Sequence, residues 1–308
     1  GQPRGRQEIS RRVVRYERER FIEADDGTRL FVEELGDGGP PVILTDGIGC
    51  DGFVWRYLAP RLAEHHRVVH WHFRGHGRSG PPADAQRLSI EELARDLRTI
   101  CDELELQRPV VAAHSMGVQV ALEFHRQCPG DVSGLILMCG TFGRITSTFH
   151  GTDLLDQVLP GLIRGASRFP SIARAVWGRV PAALAFRVAC AGRELDRERI
   201  QEEDFQRYWE HASLMDPNVF LGMLRHAGAH DAKDFLAEVD VPTLIIAAER
   251  DTFTPMELAD EMASSIPGSD LEVIEEASHA APVEQPERVS ERVEEFLSSR
   301  LGASALQG

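Results

Sequence analysis

A chain of 308 residues, 42% hydrophobic and 27% charged, has the composition of a globular protein and can bury a large core, as one sizeable domain or as a domain carrying an insertion. Its formal net charge of -15 disfavours nucleic acid and anionic lipid, both of which reward a basic surface. No apolar run approaches the roughly 20 residues that span a bilayer, so no membrane insertion is expected.

The Arg-rich stretch from Arg4 to Arg20 has Glu8, Glu17 and Glu19 interleaved and reads as a solvated arm over 1–17, without the apolar segment of a signal peptide. Two β-like runs, Arg20 to Glu23 and Arg29 to Glu34, flank Asp25-Asp26-Gly27, whose Asp-Gly step suits a tight turn with positive φ; a hairpin is expected. Short apolar strands then alternate with longer amphipathic helices, which is the pattern of parallel strands joined by helical crossovers. Strands are expected at Val42 to Thr45, Arg67 to His72, Val110 to His114, Gly134 to Cys139, Thr243 to Ala248 and Asp270 to Ile274. Helices are expected at Ile90 to Leu104, Met116 to Gln127, Met256 to Ser265 and Val289 to Leu301; the first carries Leu93, Leu97, Ile100 and Leu104 on one stripe. The fold class is therefore α/β, a mostly parallel central sheet flanked by helices.

One stretch breaks the alternation. Residues 143–230 offer helix-like segments, such as Leu154 to Ile163 and Phe205 to Met215, and no convincing strand. They read as a helical insertion that divides the core into 18–142 and 231–302. Its apolar residues, Leu159, Phe169, Val176, Trp177, Phe186, Trp209 and Phe220 among them, are expected mainly to pack a small core of their own, with a minority facing a ligand cavity. Cys50, Cys101, Cys128, Cys139 and Cys190 are scattered, with no CxxC and no Cys/His cluster at metal-ligand spacing. Reduced structural thiols in a cytoplasmic protein are expected, with no metal and no organic cofactor.

At Val110-Val111-Ala112-Ala113-His114-Ser115-Met116-Gly117 an apolar strand runs straight into a helix, with a serine at the junction and small residues two positions away on each side. This is the pattern G-x-S-x-G of a nucleophile elbow, with Ala113 in place of the first glycine. The turn holds the serine in a strained conformation that larger neighbours would obstruct. The backbone N–H of Met116, at a helix N-terminus, can then donate to a developing oxyanion. The bland alternative is a serine that caps the helix.

A free serine is a poor nucleophile and needs a base with an orienting carboxylate, in the chain order Ser, Asp/Glu, His. Asp251 lies just beyond the strand Thr243 to Ala248, where open α/β sheets build their sites; its bland role would be to cap the next helix. His279 follows the strand Asp270 to Ile274 with small residues around it. Among twelve histidines it alone has both this order and this position.

Together these motifs resemble the α/β-hydrolase superfamily, in particular its members with a helical cap inserted after the sixth strand, over roughly Arg18 to Leu301. Arg74-Gly75-His76-Gly77-Arg78-Ser79 resembles the family's R-G-x-G-x-S turn, and Glu284-Gln285-Pro286 its E-x-P step after the catalytic histidine. The resemblance implies an α/β-hydrolase fold with Ser115 as nucleophile, His279 as base and Asp251 as orienting carboxylate. It places the second oxyanion N–H on Ile48, because Asp46-Gly47 stands where the family usually has His-Gly. The family often has an aspartate where this chain has His72, so the two residues look exchanged, and Asp46 and His72 are expected to form a carboxylate–imidazole pair.

The function these readings imply is hydrolysis of a small carboxylic ester, thioester or lactone, with an acyl or aromatic ester as the small-molecule partner. The same triad could instead serve an acyltransferase, a carbon-carbon bond hydrolase or a cofactor-free perhydrolase. A receptor without turnover on the same fold is an alternative of another class. A serine nucleophile argues against haloalkane dehalogenase and epoxide hydrolase chemistry, which resemble this fold but use an aspartate there. Nucleotide binding fails because Gly75-His76-Gly77 lacks the third glycine at the required spacing and no P-loop lysine exists; the single lysine is Lys233.

Overall fold

The computed structural model describes residues 14–148, 154–179, 198, 200 and 202–301. The strands are β1 (Arg18–Glu23), β2 (Arg29–Leu35), β3 (Val42–Thr45), β4 (Val68–Trp71), β5 (Val110–His114), β6 (Gly134–Met138), β7 (Thr243–Ala248) and β8 (Asp270–Ile274). They form one eight-stranded sheet in the order β1-β2-β4-β3-β5-β6-β7-β8. β1 and β2 make the expected hairpin, with Gly27 at φ +85° and Thr28 N–H donating to the Asp26 side chain at 3.0 Å. β2 also runs antiparallel to β4, and every other pair is parallel.

The sequences of the inner strands explain their place. VILT, VVHW, VVAAH, GLILM and TLIIAA are buried at every position, as strands covered on both faces must be. Alternate residues feed opposite layers: Ile43, Val69, Val111, Leu135 and Ile245 join one core, while Val42, Val68, Val110, Ile136 and Ile246 join the other. α1 (Ile90–Glu103) and α2 (Met116–Gln127) cover the first face, α1 capped by the Ser89 hydroxyl and burying Ile90, Leu93, Leu97 and Ile100. The edge strand β8 is only half-buried, and its Asp270 and Glu272 pair with Arg292 and Arg288.

Between β6 and β7 lie α3 (Leu154–Arg168), α4 (Pro170–Trp177), α5 (Glu202–Leu214) and α6 (Pro217–Ala229), with no strand there among the described residues. This excursion leaves and returns at one point. Gly143 bridges Asp231, Arg144 N–H donates to His230 O at 2.9 Å, and Ala232 N–H donates to Phe142 O at 2.9 Å. The core of these helices is smaller than expected: Leu159, Ala166 and Leu221 cluster, but Phe169 and Val176 are 56% and 63% exposed. Phe186, Cys190 and most of the arm, 1–13, lie outside the described residues.

α7 (Met256–Ser265) and α8 (Pro286–Phe296) complete the layers. α8 begins three residues before Val289 because Pro286 fits a first helical turn, where no N–H partner is needed. The last four expected residues, with Leu297, form a wider turn, Leu297–Leu301. The end of the arm is folded against the sheet: Glu17 N–H donates to Glu34 O at 2.9 Å and Tyr16 stacks on His70 at 5.9 Å between ring centres. Cys50, Cys101, Cys128 and Cys139 are buried free thiols, and no described helix is long and apolar enough to cross a membrane.

Candidate active site

Ser115 joins β5 to α2 at φ 56°, ψ -122°, a conformation that costs energy in a residue with a side chain and is kept only where its surroundings impose it. The neighbours explain the small residues around it. A Cβ on Gly117 would sit 2.5 Å from Asp46 O and 2.6 Å from Thr45 O, and one on Gly140 would strike Val118 and the Ser115 carbonyl. Gly117→Ala is therefore expected to cost about 1–3 kcal/mol of stability through overpacking. Urea denaturation checks this, and a variant as stable as the parent would refute the close-approach argument.

The Ser115 side chain does not cap α2. Its Oγ instead donates to His279 Nε2 at 2.9 Å, while His279 Nδ1 donates to Asp251 Oδ2 at 2.8 Å. Asp251 is held from its own loop: Phe253 N–H and Thr254 N–H each donate to Oδ1 at 2.9 Å, and the Thr254 hydroxyl donates to Oδ2 at 2.7 Å. These donors fix the carboxylate, which fixes the tautomer and plane of the imidazole. The Phe253 ring covers His279 at 4.7 Å between centres.

Two further groups brace the histidine loop. Glu284, from the Glu-Gln-Pro step, accepts Ser278 N–H at 2.7 Å and also the Ser278 hydroxyl. His114 donates from Nε2 to His279 O at 2.9 Å. Burial, reinforced by the adjacent His279, pushes His114 down to about 4, so it stays neutral when its neighbour gains a proton. We expect Glu284→Gln to lower kcat about tenfold with KM nearly unchanged, because it loosens His279 rather than the substrate site. Steady-state kinetics on an aryl ester decides it, and a change in KM alone would refute it.

Met116 follows the serine as the first residue of α2, and Ile48 follows Gly47. Gly47 approaches so closely that a Cβ there would be 3.0 Å from Ser115 Cβ, which brings the Asp46–Gly47–Ile48 turn to Ser115. Neither the Met116 N–H nor the Ile48 N–H meets an acceptor among the described residues.

The expected pairing of Asp46 with His72 is corrected. Asp46 Oδ2 accepts instead from His70 Nε2 at 2.8 Å and from Gly52 N–H at 2.9 Å, and His70 Nδ1 donates to Glu33 Oε1 at 2.8 Å. His72 is engaged by the Arg74–Ser79 turn: its Nδ1 accepts Arg78 N–H at 2.9 Å, and Gly77 lies directly on the ring. Burial alone would discharge His70, but the two carboxylates outweigh it and raise the imidazole to about 10. Burial likewise opposes charge on Glu33, yet the hydrogen bond from His70 and the nearby His72 ring bring it down to about 2. The cluster is thus a buried cation between two carboxylates.

Glu33, His70 and His72 bring ligand-type atoms within 4.8 Å of one another. The donor set does not fit a metal as arranged. Charged His70 has a proton on both nitrogens. His72, accepting on Nδ1, carries its own on Nε2, so neither ring offers a lone pair to an ion.

The Arg-Gly-His-Gly-Arg-Ser motif is largely structural. Arg74 is buried and ties the turn to α1 through Asp96 at 2.6 Å and to the hairpin through Asp26 at 2.8 Å. The Ser79 hydroxyl donates to His72 O at 2.7 Å and accepts Phe31 N–H at 2.8 Å. Residues that sequence reasoning missed here are His70, Glu33, His114 and Phe253. His70 alternates with His72 on one strand, a pattern that could have raised it as a rival partner for Asp46.

The profile of the family described as alpha/beta hydrolase fold matches residues 40–286. The chain belongs to that family. This α/β hydrolase is 31% identical over 274 residues to a pimeloyl-[acyl-carrier protein] methyl ester esterase of Methylococcus capsulatus, covering 88% of this chain and 99% of that one. It is 26% identical to the solved structure of a thermophilic esterase from Thermogutta terrifontis, with a TM-score of 0.75 over 91% of this chain and 98% of the other. It is also 26% identical over 265 residues to a karrikin insensitive 2 receptor of Petunia hybrida, covering 84% and 90% of the two chains. Relatives and structural neighbours thus include esterases and other hydrolases, and the protein is an α/β-hydrolase enzyme.

Proposed function

We propose that this enzyme cleaves a small carboxylic ester, thioester or lactone through an acyl-enzyme on Ser115. The observation that carries the reading is the unbroken relay from Asp251 through His279 to Ser115, at 2.8 and 2.9 Å. Ser115 Oγ attacks the carbonyl carbon while its proton passes to His279 Nε2. The carbonyl oxygen becomes an oxyanion facing the Met116 and Ile48 N–H groups. Collapse expels the alcohol, thiol or tethered hydroxyl, which takes the proton from His279. Water, deprotonated by the same nitrogen, then attacks the acyl carbon and releases the acid and free Ser115. Asp251 stays ionised throughout and stabilises the imidazolium.

The helices α3 to α6 act as a cap over this site, and their apolar composition favours an acyl or aromatic group over a sugar or phosphate. Acyl transfer and perhydrolysis would use the same three residues with a different acceptor, and carbon-carbon cleavage would use them with a carbon leaving group that takes the proton. The Petunia relative gives weight to a receptor reading, but a complete Ser–His–Asp relay is what turnover needs and mere binding does not. The deciding experiment is mass spectrometry after reaction with a fluorophosphonate, paired with p-nitrophenyl butyrate hydrolysis. One adduct per chain on the Ser115 peptide, with loss of hydrolysis in step, is expected. Hydrolysis that survives full labelling, or an adduct elsewhere, would overturn the assignment.

A further inference from the structure

Gly49 follows Ile48, and both of its backbone polar groups are gripped by imidazoles from distant parts of the chain. His76 accepts Gly49 N–H on Nε2 at 3.0 Å and donates from Nδ1 to Arg74 O at 3.2 Å. His211, on α5, donates from Nδ1 to Gly49 O at 2.9 Å, and its Nε2 accepts Gly77 N–H at 2.6 Å. These partners assign the same neutral tautomer, protonated on Nδ1, to both rings.

Gly49 has φ +76°, and a Cβ there would lie 3.2 Å from the Phe220 ring and 3.3 Å from the Tyr208 hydroxyl. Both side chains come from the helices between β6 and β7, which therefore rest directly on this peptide. The same helices stand on Gly75, where a Cβ would lie 2.7 Å from Val219. At its other end α5 is tied to the core by the Asp204 carboxylate, which pairs with Arg56 and accepts the Tyr57 hydroxyl at 3.1 Å.

The N–H of Ile48 belongs to the Gly47–Ile48 peptide unit, whose C=O accepts Cys50 N–H at 3.3 Å. The Gly49 C=O held by His211 shares a peptide unit with that Cys50 N–H, so releasing Gly49 O frees the unit whose N–H fixes the Gly47–Ile48 peptide and with it the direction of the Ile48 N–H. We propose that His211 is a positioning residue through which the cap holds the oxyanion loop, so that the second oxyanion donor is in place only while α5 is seated. This inference rests on the acyl-enzyme reading above. His211 moves no proton in the reaction; it acts through Gly49.

The three variants His211→Asn, His211→Gln and His211→Ala separate the role from simple packing. The Asn side-chain NH2 falls near the place of Nδ1 and can still donate to Gly49 O. The Gln carbonyl oxygen falls near the place of Nε2 and can accept only from Gly77. Each protein is assayed for kcat and KM on p-nitrophenyl butyrate and for affinity toward a trifluoromethyl ketone, whose adduct with Ser115 carries an oxyanion. The Ala and Gln variants should lose about 10- to 100-fold in kcat and in ketone affinity with KM within about twofold, whereas Asn stays within about threefold of the parent. Equal losses in Asn and Gln, or losses confined to KM, would overturn the proposal. Should the Ala variant not fold, the Asn–Gln comparison decides alone. A parent enzyme that no fluorophosphonate labels overturns the acyl-enzyme reading itself; a labelled parent with no Asn–Gln difference overturns only the role of His211.

Discussion

Ser115→Ala, His279→Ala and the double variant will each lower kcat by about the same factor, on the order of 10^6, rather than the double variant losing the product of the two. The expectation follows from the relay, in which the hydroxyl is useless as a nucleophile without the nitrogen 2.9 Å away and that nitrogen has nothing else to deprotonate. Asp251→Asn should cost less, about 10^4, because an amide can donate to Nδ1 and turn the imidazole into the wrong tautomer while the oxyanion donors persist. Steady-state rates on protein of known active concentration measure all four. Multiplicative losses would mean that the two residues act independently and would sink the triad.

The His70→Leu variant is expected to lose about 3–5 kcal/mol of unfolding free energy near neutral pH, because it strands the buried Asp46 and half-buried Glu33 carboxylates without their cation. The effect should depend on pH in a definite direction. His70 is raised from 6.5 to about 10 in the folded chain, so its contribution is complete below pH 6.5 and drains away as pH climbs toward 10. Glu33 is lowered from 4.5 to about 2, so its contribution is present above pH 4.5 and is lost as pH falls toward 2. The parent should thus gain most from this cluster between about pH 4.5 and 6.5. Urea denaturation of parent and variant across pH 5 to 10 tests this: their difference should shrink toward the alkaline end. A difference below about 1 kcal/mol at pH 6, or one that grows with pH, would show that His70 is not charged.

Much of this was legible in the sequence. The inner strands announce themselves because burial on both faces demands continuous apolar runs, and Ser115, Asp251 and His279 sit at strand ends where the parallel sheet turns its chain toward a common edge. Asp46 shows where such reasoning stops. Adjacent strands made His72 the natural partner, but the choice was made by two turns: 46–52 closes on the Asp46 carboxylate through Gly52 N–H and lays Gly52 on the His70 ring, and 74–79 claims His72 through Arg78 N–H. Side-chain pairing beyond the last ladder residue depends on loop paths that no periodicity encodes. His211 was illegible for the same reason, since a lone histidine in a helical stretch gives no sign of the backbone it will meet. Phe169 and Val176 misled in the opposite sense, being apolar in sequence yet exposed in the fold.

The bridge between Gly143 and Asp231 returns the chain to the sheet at the point where it left. Chain enters and leaves at one spot, and closing a longer or shorter excursion there changes the loop entropy by only about 0.6 kcal/mol per doubling of length. Closure entropy therefore sets little limit on what this socket can hold; the limit is packing, because Phe205, Met223 and Ala227 of the inserted helices fill places in the two cores beside the sheet. A different set of helices would have to fill those places and also bring a side chain to the Gly49 carbonyl as His211 does.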